Sequence, residues 1–251
     1  VVSPPLPLLG TRVLDLTRFV AGSYVTMTLA ALGADVVKVE VPPDGDSYRH
    51  QATALVGDES SLFLALNGGK RSIGLDLRHP DARAVIDRLV DRADFVVQNA
   101  RPGSLDRYGL GWPQVHARNP RCVYAAISGY GEVGPRTTDG GFDLVLQADA
   151  GIMAVTGLPD GTPVAVGAPL LDIGAGLSCL TALLAAHVHR LATGEGVQVS
   201  SSLLEFSLAG LTTVAAAHLA TGEEPRRAGG HSPMFAPYGA FAAADGHVIL
   251  A

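Results

Sequence analysis

The sequence predicts an α/β fold built on a parallel, doubly wound sheet. Three observations lead there. Val- and Ile-rich runs of strand length alternate with segments of helical patterning. Those runs are apolar on both faces, as strands covered by helices on both sides must be. The chain, 251 residues with 47% hydrophobic and 17% charged side chains, can bury a sizeable core and does not read as disordered.

The elements follow in order. "RVLDLT" (12–17) is a strand, and "AGSYVTMTLAALG" (21–33) is a helix with Gly33 as its stop. "ADVVKVE" (34–40) and "RSIGLDL" (71–77) are the second and third strands. "HPDARAVIDRLVDRAD" is the clearest helix: Pro80 suits its first turn, Asp81 complements its positive end, and Ala82, Val85, Ile86, Leu89 and Val90 make one apolar stripe. "FVVQN" (95–99) and "CVYAAIS" (122–128) are strands. On such a sheet ligands gather at the carboxyl ends of the strands. From Gly222 the polar, Gly- and Pro-rich "GEEPRRAGGHSP" reads as a linker, followed by a hairpin, "YGAFAAADGHVILA", turning at Asp245-Gly246. The second strand of that hairpin stops at the last residue, so the natural chain is expected to continue past Ala251.

Composition excludes several classes of function. A formal net charge of -6 argues against a general nucleic-acid partner, though not against a small anionic ligand held by local Arg and Lys. Cys122 and Cys179 sit in apolar runs and read as buried thiols in a reducing compartment. The apolar run around 182–188 is interrupted by His187, His189 and Arg190 and is read as too short to span a bilayer. With no basic-then-apolar leader before Leu6, the expected setting is cytoplasmic, with no membrane partner. No metal site is expected: His187 and His189 point to different helix faces, and no CxxC or HExxH pattern occurs.

"GYGEVG" (129–134) fits a dinucleotide fingerprint but leads into Pro135 and "DGG" instead of a helix, so it reads as a loop. "LNGGKRS" (66–72) lacks the first glycine of a P-loop. It can still aim Lys70 and Arg71 at a phosphate, or be a turn with two solvated charges. "QNARPGSLDRYGLG" leaves a strand at the ligand edge with Asn99, Arg101 and Arg107, a phosphate site or an ordinary basic loop. Asp172 stands alone at the head of the long apolar helix in "PLLDIGAGLSCLTALLAAHVHR". Its plain role is an N-cap. The small residues Gly174, Ala175, Gly176 and Ser178 beside it also suggest that a ligand can approach closely, and the helix end is expected to keep the carboxylate ionised. An ionised carboxylate in a ligand-accessible cleft can attack an activated acyl group.

Taken together, "GTRVLDLTRFVAGSYVTMTLAALGADVVKVEVPPDGDSYR", "LNGGKRSIGLDLRHPDAR", "DFVVQNARPGSLDRYGLGW", "NPRCVYAAISGYGEVGP", "GGFDLVLQADAGIMAVTG" and the Asp172 segment resemble, in family order and over nearly the whole chain, the family III CoA-transferases, the CaiB/BaiF group. The resemblance implies a Rossmann-like large domain (1–221), with 222–251 as the linker and start of a second, smaller domain, and two chains interlocked as a homodimer. It implies coenzyme A or acyl-CoA as substrate, and a catalytic aspartate at 172. That carboxylate attacks the acyl-CoA thioester to form a mixed anhydride, CoA thiolate then gives an aspartyl-CoA thioester, and an acceptor carboxylate completes the exchange. The CoA nucleotide is expected against the segments carrying Lys70, Arg71, Asn99, Arg101 and Arg107.

Three positions depart from the family pattern. Val41 stands where an Arg usually follows the "KVE" strand, with Arg49 as a candidate substitute. Ala100 replaces a Phe. Phe142, in "GFD", replaces the His through which the racemase subgroup moves a proton. The leading expectation is therefore a CoA-transferase. The alternatives are an acyl-CoA racemase or epimerase, and a truncated, non-catalytic CoA-binding member.

Overall fold

The computed structural model describes residues 5–51 and 54–251. Six parallel strands form its central sheet: β1 (Arg12–Leu16), β2 (Asp35–Glu40), β3 (Arg71–Gly74), β4 (Phe95–Gln98), β5 (Val123–Ser128) and β6 (Gln198–Ser202). Their spatial order is β3-β2-β1-β4-β5-β6, all neighbours parallel. The chain steps outward from β1 to β3, then crosses back to β4 on the other side of β1. That reversal opens a crevice between the carboxyl ends of β1 and β4, the place where doubly wound sheets take ligands.

Helices α1 (Ala21–Ala31) and α7 (Leu170–Thr193) cover one face, and α3 (Ala82–Val90) and α4 (Trp112–Arg118) the other, with the short α2 (Ser61–Asn67) and α6 (Ile152–Val155) in the connections. Strand alternation decides which side chain goes where. Val13, Val36, Phe95, Val97 and Ile127 pack under α1 and α7, while Leu14, Val96, Tyr124 and Ala126 pack under α3 and α4. In α7, Leu171, Ala175, Cys179, Leu183 and Ala186 form the buried stripe. A fully buried leucine such as Leu183 contributes about 1.5–3 kcal/mol. The 24-residue α7 is long and apolar enough to cross a membrane on length and composition alone, contrary to the shorter run read from the sequence. Here that stripe packs against the sheet. Arg190 ties the far end of α7 to the base of the sheet through Asp94 and the Arg121 carbonyl.

The sequence-predicted strands and helices are present, with ends shifted by a few residues. β3 stops at Gly74, after which Asp76 turns the chain by accepting the Arg78 N–H. β6 has no counterpart in the sequence reading. Its "QVSSS" lacks an apolar alternation, and its inward serines are satisfied locally: Ser201 donates to the Ala175 carbonyl, and Ser202 caps α8 (Leu203–Gly210). After α9 (Thr212–Thr221) the chain runs without regular structure to an antiparallel hairpin, β7 (Gly239–Ala243) and β8 (Gly246–Leu250), which is not hydrogen-bonded into the main sheet. The hairpin turns at Ala244 and Asp245, one residue earlier than predicted, with Gly246 opposite Ala243. Both cysteines are buried and free, and burial pushes each thiol up to about 12.

Candidate active site

A cleft opens along the carboxyl edge of the sheet in two adjoining lobes of about 420 and 910 Å³, which share Leu16, Arg18 and Ala100 in their walls. The smaller lobe holds Asp172, with Phe19, Tyr48, Asn99, Arg101 and Phe142 around it. The larger holds Arg107, Arg78, His50 and the Val41–Asp46 loop.

The turn after β1 is built from below. Asp15 is fully buried and accepts from the Thr17 N–H, the Thr17 and Thr26 hydroxyls, and the Lys70 ammonium. Lys38, equally buried, donates to the Thr17 carbonyl at 2.7 Å and pairs with Asp46 at 2.9 Å. Above them, both ends of the Asn99 amide hold the backbone of Arg18, at 2.8 and 2.6 Å. The chain then passes through Phe19 at φ +60°, a left-handed conformation costly for an aromatic residue and sustained by these contacts. Phe19 meets the rings of Tyr48 and Phe142 edge-on, at 5.6 and 6.1 Å between centroids.

This geometry divides the sequence-predicted ligands. Asp172, Asn99 and Arg101 share one lobe, and Arg107 lies in the adjoining one. Asn99 acts on the Arg18 turn with both polar ends. Lys70 turns inward: its ammonium is buried against Asp15, the Ser23 carbonyl and Asn67, and burial pushes it down to about 8. Arg71 opens β3 at the opposite, amino edge and binds both oxygens of Asp35. The structure thus brings neither Lys70 nor Arg71 to the cleft. Arg49, the candidate substitute at Val41, is engaged as well. It forms a two-pronged pair with Glu40 and stacks on Phe63 at 3.7 Å.

Asp172 is not an N-cap. Helix α7 begins at Leu170, and Asp172 is its third residue. The capping acceptor is Asp143, at the start of α5 (Asp143–Asp149). One of its oxygens takes the N–H groups of Leu171 at 2.7 Å and Asp172 at 3.0 Å, and the other takes the Gln147 amide at 2.5 Å. The positive helix end therefore acts on Asp143. Burial, and after it the charge of Asp143, push the Asp172 carboxyl up to about 7, so the helix end does not hold it fully ionised as expected from sequence. The small residues beside it serve packing: a Cβ on Gly174 would strike the Phe206 ring at 2.0 Å, and one on Gly176 the Ala21 carbonyl at 2.9 Å. Gly129 and Gly141 meet backbone to backbone, where an added Cβ would lie 2.4–2.6 Å from the other's Cα, and they set the loop that carries Phe142 against the end of β5. "GYGEVG" is the loop read from sequence.

A carboxyl poised near neutrality lines this lobe at the switch point of a doubly wound sheet, together with arginines that have no carboxylate partner among the described residues. The model of CoA-transferase family III matches residues 8–251. The chain belongs to CoA-transferase family III. Within the family it is 38% identical to succinyl-CoA:glutarate CoA-transferase of Mus musculus, over 97% of this chain and 56% of that protein. It is 37% identical to acetyl-CoA:oxalate CoA-transferase of Acetobacter aceti, over 98% of this chain and 64% of that protein. The crystal structure of a CaiB/BaiF family protein from Brucella suis superposes with a TM-score of 0.91 at 38% identity, covering 99% of this chain and 66% of that one. The chain thus spans between about half and two thirds of the length of these family III relatives.

Proposed function

We propose that this protein moves coenzyme A from an acyl-CoA thioester to a free carboxylic acid, with Asp172 as the covalent nucleophile. The observation that carries this reading is the Asp172 carboxyl itself. It lines the cleft at the switch point, no donor among the described residues holds it, and Arg18 and Arg101 line the same lobe. One carboxylate oxygen attacks the thioester carbonyl carbon, and CoA thiolate leaves with the C–S electron pair. The product is an acyl-aspartyl anhydride. The thiolate then attacks the aspartyl carbonyl, releasing the donor carboxylate and leaving an aspartyl-CoA thioester. An acceptor carboxylate repeats the sequence in reverse. The adenine nucleotide lies in the larger lobe toward Arg107, and the thioester in the smaller. The family III relatives named above use glutarate and oxalate, so a small dicarboxylic acid is the acceptor class to try first.

Phe142 supports transfer over racemisation, because a phenyl ring carries no proton and it stands in the cleft wall where the racemase subgroup has its His. Apolar side chains exposed on α7 and α9, Val188, Leu191 and Leu219 among them, support pairing with a second copy.

The test is direct. Incubation with succinyl-CoA and hydroxylamine should trap a hydroxamate on the peptide bearing Asp172, and Asp172→Ala should lose exchange by at least about 10³-fold while still binding CoA. Exchange retained in Asp172→Ala refutes the assignment. CoA bound with no adduct in the parent protein identifies a non-catalytic binder instead.

A further inference from the structure

When Asp172 attacks a thioester, the carbonyl oxygen becomes an anion and needs a hydrogen-bond donor. The head of α7 does not offer the two N–H groups nearest the attack, since Asp143 already accepts from Leu171 and Asp172. Asn99 has both amide ends on Arg18. Phe19 and Phe142 have no donor. Two neutral hydroxyls line the lobe, those of Ser128 and Tyr48. Ser128 is tied to the end of its strand by accepting the Gly131 N–H, whereas Tyr48 is half-buried, its hydroxyl has no partner among the described residues, and it feels the charge of Asp172. Burial, and then the charge of Asp172, raise the phenol's pKa further, so it stays protonated.

The place of Tyr48 is fixed by two contacts that share one support. Asp46 caps its short turn by accepting the Tyr48 N–H at 3.0 Å, and Lys38 holds Asp46 from beneath. The same Lys38 holds the Thr17 carbonyl, two residues before the left-handed Phe19 whose ring meets Tyr48 edge-on. One buried ammonium thus sets both the tyrosine and the ring it leans on. Such over-determination is what a preorganised donor requires.

We propose that Tyr48 is a further catalytic residue of this site, its hydroxyl donating a hydrogen bond to the acyl carbonyl oxygen as Asp172 attacks. The inference rests on the nucleophilic role of Asp172. Tyr48 keeps its proton throughout. The new bond joins an Asp172 oxygen to the carbonyl carbon, the electron pair of the broken C–S bond leaves on CoA, and the tyrosine stabilises the transient alkoxide.

The experiment compares Tyr48→Phe with Asp172→Ala in the full chain, using succinyl-CoA as donor and glutarate as acceptor. The readouts are kcat, KM for succinyl-CoA, and the single-turnover rate of acyl transfer to residue 172 by mass. Tyr48→Phe keeps the ring and its contact with Phe19, so the fold is retained. The expected result is a fall of about 100-fold in kcat and in the acylation rate, with KM changed by less than about threefold. A loss confined to KM, or a kcat within about twofold of the parent alongside an inactive Asp172→Ala, overturns the role of Tyr48 and leaves the transferase reading standing. Activity in Asp172→Ala overturns the reading on which both rest.

Discussion

The two ends of the central sheet carry similar side chains and behave differently. At the amino end a groove of about 550 Å³ is lined by Arg12, Arg71 and Arg92 with Asp35 among them. There the acid is taken: Arg71 holds both Asp35 oxygens, at 2.7 and 2.9 Å. At the carboxyl end Arg18, Arg101 and Arg107 have no carboxylate partner among the described residues, and Asp172 has no cation bound to it. The difference comes from topology. α1 and α7 begin at the carboxyl edge, and the reversal between β1 and β4 leaves a gap there that side chains do not fill. A charged groove becomes a site where its charges are prevented from satisfying one another.

The comparison can be broken or sharpened by experiment, beginning with the largest effect. Lys70 belongs to the scaffold beneath the cleft. Lys70→Ala leaves Asp15 buried and unpaired and should cost about 3–5 kcal/mol in chemical unfolding, with little change in CoA affinity of the folded fraction. A weakened CoA Kd at unchanged stability would return Lys70 to the binding site. Next, Asp143→Ala removes the acceptor for two helix N–H groups and should cost about 1–2 kcal/mol by the same measurement. Asp143→Asn keeps an acceptor oxygen and removes the charge, so stability should largely hold while the pH midpoint for activity falls. Third, because burial and Asp143 raise the Asp172 carboxyl to about 7, its nucleophilic, deprotonated form grows with pH, and initial rates should rise about tenfold from pH 6 to pH 8. A flat profile with a midpoint near 4 would mean that the carboxyl is held ionised. Smallest is the contrast between the two ends: Arg101→Ala should weaken CoA binding by about fivefold in calorimetry, and Arg71→Ala by less than about twofold. Equal losses would erase the distinction.

Much of this was legible in the chain itself. Strand-length apolar runs gave five of the six sheet strands and the ligand edge, and the isolated acid in an apolar helix singled out Asp172. What escaped detection is tertiary. Lys70 and Arg71 are adjacent, yet the turn before β3 sends one into the core and the other to the far edge, and residue type alone does not say which. Asp143 lies 28 and 29 residues before the two helix N–H groups it accepts. The acid stands in "GFD" directly after Phe142, and no local pattern ties it to a helix so far along the chain. β6 was missed because serines satisfied by neighbours can form a strand without an apolar pattern.

The contact between Gly129 and Gly141 carries a consequence for how this pocket can change. Main chain meets main chain there, so that stretch of wall has no side chain to shorten, and any larger residue would push it outward. Room for a bulkier guest can come from trimming Phe142, and a smaller chamber from growth at Ala100, while Tyr48 is held to its size by its proposed role. The chamber is therefore adjustable at a few points along a rim whose frame is fixed.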